Sequence, residues 1–238
     1  MLVAGFPAGA FAANCYVVAP AAGEECVIID PGQDAERGIE ELLARYRLKP
    51  IAVLLTHGHL DHIWSVGPVC GAKGIPAYIH PADQALLSDP GMGLSLMGSQ
   101  QLFGGMTFTE PDDVRELSDN TAFTIAGVPF AVSHVPGHTE GSVTFRTAEE
   151  APEGAAAAAD AGGLDVLFSG DLLFAGSIGR TDLPGGDHRK MMSSLEKTLT
   201  LPDATVVLPG HGPQTSIGAE RASNPFLTGM RRPAQKGL

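Results

Sequence analysis

Short apolar runs, rich in β-branched residues and stopped by glycine or proline, recur along the 238-residue chain. Runs of this kind between turn signals predict strands. They are "NCYVVA" (14–19), "CVIID" (26–30), "IAVLLT" (51–56), "AYIH" (77–80), "AFTIAG" (122–127), "PFAVSHV" (129–135), "SVTFRT" (142–147), "DVLFSGDLLF" (165–174) and "ATVVLPG" (204–210). Between the second and third runs the period changes. Ile39, Leu42, Leu43 and Tyr46 recur at helical spacing, and Asp34 stands where an N-cap would be. Further helices are predicted from about His62 to Lys73, over 188–199 and over 217–223. Strands and helices are mixed without strict βαβ alternation, so a single parallel sheet is not expected.

Two segments break this rhythm. Residues 148–163, "AEEAPEGAAAAADAGG", are low in complexity and read as a mobile surface insertion. Residues 86–110 place Met92, Met97 and Met106 among glycines, which suits a lid over a site, a partner-facing surface or core packing. Residues 228–238 read as a flexible basic tail (Arg231, Arg232, Lys236). No internal repeat or domain boundary stands out, and the whole chain, 1–238, is expected to form one domain.

Composition narrows the function classes. A net charge of −12 argues against a nucleic-acid partner, which would leave a basic face. It says little about small substrates, because bound divalent ions reverse the local sign. Three cysteines, Cys15, Cys26 and Cys70, without a CxxC pair suggest reduced, buried thiols and a cytoplasmic setting. Met1 to Gly23 carries no charge, and "AFAAN" faintly resembles a signal-peptidase site. Yet no Lys or Arg precedes it, and Pro7, Asn14 and Pro20 interrupt the apolar run. Two ordinary strands are the better reading, and no membrane span is expected.

The densest chemistry lies in "THGHLDH" (56–62). His57 and His59 are two apart at the end of a strand, so their rings can share one side. Asp61 and His62 follow as the chain turns into a helix and can face a second point nearby. Neutral imidazoles with carboxylates suit Zn, Fe(II) or Mn. Further donors follow other apolar strands on glycine-flanked loops: His138 in "PGHTEGS", Asp171 in "FSGDLLF" and His211 in "LPGHGP".

Together, "THGHLDH … GHTEGS … GD … GH" resembles the metallo-β-lactamase-fold hydrolases over nearly the whole chain. "NCYVV" (14–18), "GRTDLPGGD" (179–187) and "GHGPQTSIGAERASNPFL" (210–227) resemble the short glyoxalase-II-type branch. The resemblance implies an α/β fold, a four-layer αβ/βα sandwich of two mixed sheets flanked by helices, with the site at one sheet edge. It also implies two divalent ions, zinc first, with iron or manganese as alternatives. His57, His59 and His138 match the ligands of the first, Asp61, His62 and His211 those of the second, and Asp171 the bridging carboxylate. Asp30 in "IIDPG" matches the family's acidic motif. It either orients the ligand loop or is a turn residue satisfying backbone amides. His80, His134 and His188 match no ligand position, nor do Cys15 and Cys70.

Two ions roughly 3.5–4 Å apart can share one water and lower its pKa to about 7. The catalytic assignments are then Asp171 as bridge and Asp61 as acceptor from the attacking water. No Lys, Tyr or His outside the ligands is placed to protonate a departing amine. A thiolate leaves without such help, since thiols have pKa values of about 8.5. A small-molecule thioester is therefore the expected partner, and the family reaction is S-2-hydroxyacylglutathione to a 2-hydroxy acid and glutathione. Only 27 residues follow His211, too few for the extra domain with which glyoxalase II recognises its thiol, so the carrier stays open. "GRTD" and "ERASNP" (220–225) also resemble persulfide dioxygenases, which hold one Fe(II) on residues matching His57, His138 and Asp171. A β-lactamase or lactonase and a non-catalytic scaffold are the remaining alternatives. The chain is expected to be a monomer or a small homo-oligomer.

Overall fold

A computed structural model describes residues 1–94, 107–148 and 165–227. The expected tail at 228–238, the centre of the 86–110 loop and, but for its first residue, the expected insertion lie outside the described residues. The first sheet holds β1 (Leu2–Ala8), β2 (Ala13–Ala19), β3 (Glu25–Ile29), β4 (Lys49–Leu54), β5 (Ala77–Ile79) and β6 (Val114–Glu116), in that order. Its β1 to β3 pair antiparallel and β3 to β6 parallel. The second sheet contains β7 (Thr121–Ile125), β8 (Val128–His134), β9 (Val143–Ala148), β10 (Asp165–Gly170), β13 (Val206–Pro209) and β14 (Thr215–Ser216), ordered β14-β13-β10-β9-β8-β7. A small ribbon pairs β11 (Leu173–Phe174) with β12 (Ser177–Ile178). Both large sheets are mixed, as the resemblance implies.

Alternation along each strand builds the layers. In β3, Val27 and Ile29 point inward to Phe130, Phe145 and Phe168 of the second sheet. Cys26 and Ile28 point outward to Ile39 and Leu43 of α1 (Glu36–Tyr46) and to Val69 and Cys70 of α3 (Val66–Lys73). In β10, Val166 and Phe168 face the first sheet, while Leu167 packs with Met191 and Leu195 of α4 (His188–Thr198) and Ile217 of α5 (Ile217–Ser223). The result is helices, sheet, sheet, helices. All three cysteines are buried and free, and burial pushes the Cys26 and Cys70 thiols up to about 12. Among the described residues no helix is long and apolar enough to cross a membrane.

Two sequence expectations need correction, and one strand escaped the sequence reading. Asp34 does not cap α1: it lies in the left-handed region (φ 54°), and the N-cap is Ala35. The Ala35 N–H instead donates to Ser65 Oγ at 3.2 Å, and Ser65 Oγ donates to the Gly32 carbonyl at 2.7 Å. Buried Ser65 also divides the expected 62–73 helix into α2 (Leu60–Ile63) and α3. Finally, β6 ("VRE") is too short and polar to read as a strand, yet pairs through its backbone with β5.

One ion pair ties the second sheet across β9 and β10. Arg146 donates twice to Asp165, both at 2.8 Å, and Thr205 Oγ1 donates to the same carboxylate at 2.7 Å. Burial alone would raise the Asp165 carboxyl, but these donors hold it below its ordinary value. A depressed carboxyl stabilises above the unfolded value of about 3.9 and loses that contribution as pH falls. Asp165→Asn should cost on the order of 1 kcal/mol at pH 7. Thermal unfolding should show that difference shrinking toward pH 3.

Candidate metal centre

The donors converge at the ends of strands on one edge of both sheets. After β4 the chain runs through Leu55 and Thr56 to His57 and His59, and α2 then presents Asp61 and His62. His138 follows β8, Asp171 follows β10 and His211 follows β13. Three groups form, with donor atoms within 4.8 Å inside each: His57, His59, His138; His57, His62, Asp171; and Asp61, His62, His211. His59 Nδ1 lies 2.7 Å from His138 Nε2, and His62 Nε2 lies 3.3 Å from His211 Nε2. Asp171 reaches His62 with Oδ1 at 3.3 Å, and His138 and His211 with Oδ2 at 3.5 and 3.7 Å. Asp61 Oδ2 lies 3.0 Å from His211 Nε2. All seven expected ligands are therefore in one cluster, with Asp171 touching both halves. His80, His134 and His188 lie outside it: His80 and His134 stack on each other at 4.1 Å, and His188 opens α4.

Outer hydrogen bonds hold the rings. Asp30 serves both roles considered for it. Its Oδ1 accepts the Thr56 N–H at 2.8 Å, and its Oδ2 accepts the Thr56 hydroxyl at 2.6 Å and His62 Nδ1 at 3.1 Å. With its own proton on Asp30, Thr56 Oγ1 can only accept from His57 Nδ1, at 3.1 Å. One carboxylate thus places the Nδ1 proton on His57 and His62, leaving the Nε2 lone pairs for the cluster. His138 Nδ1 donates to the Arg180 carbonyl at 2.8 Å, which does the same for that ring.

The N-terminal hairpin supports the last ligand. Asn14 Nδ2 donates to the Pro209 and Gly212 carbonyls at 3.0 and 2.9 Å. Tyr16 Oη donates to Pro209 at 2.8 Å. The Asn14 N–H reaches Gly210 O at 2.7 Å, and Ala13 bridges His211. A Cβ on Gly210 would run into Asp171 Oδ1 and His62 Cε1, so only glycine lets this loop approach. "NCYVV" is therefore the brace for His211, a role its residues alone did not show.

The electrostatics fit cation binding. Burial, with neighbouring imidazoles, drives His57 well below its ordinary value and His59 down to about 3. Both are neutral near pH 7, with lone pairs to give. Burial opposes charge on Asp61 and Asp171, but the histidines outweigh it and hold both carboxyls low. Burial likewise opposes charge on His62 and His211, yet Asp61 and Asp171 raise both. His57 Nε2, His59 Nε2 and Asp171 Oδ1 are buried with no hydrogen-bond partner. Orphaned buried acceptors of this kind call for a ligand. Imidazole and carboxylate together suit a borderline divalent ion.

A cavity of about 430 Å³ opens onto the cluster, lined among others by Phe11, Leu60, Leu94, Phe174, Ile178 and Leu183. Leu94 comes from the 86–110 segment, while Leu87 of the same segment is core. Among the described residues that line it, the one lysine or arginine is Arg180, which donates twice to Asp182 at 2.7 Å.

Comparison with known proteins agrees with this geometry. The family model of the metallo-beta-lactamase superfamily matches residues 8–150 and 156–211. The chain belongs to the metallo-β-lactamase superfamily. Among relatives, a "probable metallo-hydrolase YqgX" of Bacillus subtilis is 36% identical over 225 residues, covering 94% of this chain and 96% of that protein. "Hydroxyacylglutathione hydrolase GloC" of Haemophilus influenzae is 33% identical over 226 residues, 93% of this chain and 95% of that one. Among solved structures, BLEG-1 B3 metallo-beta-lactamase superposes with a TM-score of 0.79 at 41% identity, covering 96% of this chain and all of that one. TTHA1623 in a di-iron-bound form gives 0.70 at 39% identity over 92% of this chain and 97% of that one. In this metallo-β-lactamase-superfamily chain the His/Asp cluster fits divalent metal binding.

Proposed function

We propose that the protein is a metal-dependent hydrolase of small-thiol thioesters of the glyoxalase-II type, with two divalent ions, zinc first, on the seven-residue cluster. The observation that carries this is Asp171, whose carboxylate touches both donor groups. His57, His59 and His138 would hold one ion, Asp61, His62 and His211 the other, with Asp171 between them. Bound there, the metals supply Lewis acidity and water activation near neutral pH. The chain's own residues do the rest. Asp61 accepts a hydrogen bond from the attacking water. Asp30, through Thr56, keeps the imidazole lone pairs aimed inward. Phe11, Phe174 and Leu183 exclude bulk water from the reacting end.

The leaving group is argued from the cavity wall. Among the described residues no lysine or tyrosine lines it, and its arginine is tied to Asp182. An amine would need a proton donor there, whereas a thiolate does not. The hydroxyacylglutathione hydrolase among the relatives supports the same reading.

A second reading, mononuclear Fe(II) persulfide dioxygenase, rests on the likeness of "GRTD" and "ERASNP" to that family. A β-lactamase reading takes support from the BLEG-1 likeness. One set of assays separates them: thiol release from S-lactoylglutathione and from a neutral S-lactoyl thioester, oxygen uptake with glutathione persulfide, and nitrocefin hydrolysis. Metal-to-protein ratio with element identification accompanies these. Thioester turnover with two metals per chain is expected. Rapid oxygen uptake on one iron, without thiol release, would overturn the hydrolase assignment. As a monomer or small oligomer in the cytoplasm, the enzyme would meet small-thiol conjugates without export.

A further inference from the structure

Asp83 lies in a 3-10 turn (Pro81–Leu87), outside every motif above, and is 2% exposed. Its Oδ2 accepts the Gly58 N–H at 2.8 Å, and Gly58 sits between His57 and His59. The same oxygen accepts the hydroxyl of Thr139, the residue after His138, at 2.6 Å. Its Oδ1 accepts the Gly141 N–H at 2.7 Å. Ser142 completes the knot: its Oγ accepts the Thr139 N–H at 3.1 Å and pairs with Thr139 Oγ1 at 2.7 Å. Both loops press onto this residue. A Cβ on Gly141 would lie 2.5 Å from Asp83 Cγ, and one on Gly58 would lie 3.0 Å from Asp83 O.

The bonds that Asp83 makes stay within one half of the cluster. They join the His57–His59 loop to the His138 loop, whose rings meet at 2.7 Å. The other half, Asp61, His62 and His211, is braced by Asp30, Asn14 and Tyr16, and of these Asp30 also reaches His57 through Thr56. The two donor groups therefore share Asp30, while the Asp83 clamp serves the first alone.

We infer that Asp83 is a positioning residue that clamps the two histidine loops together and so sets the divalent-ion affinity of the His57, His59, His138 group independently of its partner group. This rests on the reading of the cluster as a two-metal centre. Asparagine cannot replace the clamp. With its amide nitrogen at the Oδ1 position it faces the Gly141 N–H, and at the Oδ2 position it faces the Gly58 N–H. Either way two donors oppose each other in a buried site. Outer-shell losses of this kind typically cost about 10- to 100-fold in metal affinity.

The test is zinc titration of the metal-depleted full chain against a chromophoric chelator. Asp83→Asn is placed in two backgrounds: His211→Ala, which keeps the first group, and His59→Ala, which keeps the second. Affinity should fall about tenfold or more in the first background and by less than about threefold in the second. Thr139→Val should weaken the first group alone, and Thr139→Ser should restore it. That pair carries the test if Asp83→Asn fails to fold. In the metal-free protein, Asp83→Asn should also speed amide exchange at Gly58 and Gly141 while leaving Ile28 and Val53 protected. Equal loss in both backgrounds, or loss in neither, overturns the inference while the two-metal reading stands. Failure of the unsubstituted chain to bind zinc overturns both.

Discussion

Replacing Asp171 with Ala should lower thioester turnover by on the order of a thousandfold, equivalent to about 4 kcal/mol of transition-state stabilisation. The reason is topological as much as chemical. Asp171 follows a strand whose last residue, Gly170, takes φ 50°, turning the carboxylate into the cluster against Gly210. From there its two oxygens approach His62, His138 and His211 at 3.3 to 3.7 Å. Among the described carboxylates of the cluster, Asp171 is the one that reaches both halves. Alanine leaves each half with imidazoles and, in one case, Asp61, but with nothing to hold two cations close together against their repulsion. Metal analysis should show the ratio falling with the activity. His134→Gln is the control: His134 stacks on His80 and bonds the Glu140 carbonyl at 2.8 Å, so metal content should stay near that of the unsubstituted chain. A variant at Asp171 that keeps a tenth of the original kcat/KM and both metals would mean that the bridge is elsewhere.

Much of this arrangement was readable from residue order, for a definite reason. Each ligand follows an apolar strand, so the pattern that marks the strand also marks the place where its loop presents a side chain. His57, His138, Asp171 and His211 share this position on four different strands. Period-2 alternation was equally informative: the split of β3 into Val27 and Ile29 on one face, Cys26 and Ile28 on the other, is the four-layer sandwich in miniature. What escaped were contacts between distant polar residues. Asp83 meets Gly58, Thr139 and Gly141 across 25, 56 and 58 residues. Ser65 accepts the Ala35 N–H, 30 residues earlier and just ahead of α1, whereas Asp34 stood nearer in sequence and offered the usual cap chemistry. Asn14 and Tyr16 act on a loop more than 190 residues away. No periodicity encodes such pairs, because a single hydrogen bond constrains one position rather than a face.

Asp30→Asn should weaken both donor groups together, by about 10- to 100-fold in zinc affinity, and this separates it from Asp83. The carboxylate is 2% exposed and takes three hydrogens. An asparagine there must turn its NH₂ toward one side. Facing Thr56 N–H, it sets donor against donor at the end of β4 and strains the loop that carries His57. Facing His62, it donates to Nδ1 and shifts that ring's proton onto Nε2, removing the lone pair aimed at His211 and Asp171. The same orientation takes away the acceptor of the Thr56 hydroxyl, which then turns its proton toward His57 Nδ1 and moves that ring's proton to Nε2 as well. Two imidazoles in different groups lose their ligating tautomer through one substitution. Zinc titration should therefore show both binding steps displaced, and ¹⁵N-resolved histidine spectra of the metal-free protein should report an Nε2–H tautomer at position 57, the ring that burial keeps neutral. If the titration loses only one step, or His57 keeps Nδ1–H, the Asp30–Thr56 relay does not set the ligand protonation, and the inward lone pairs must be held by the cluster itself.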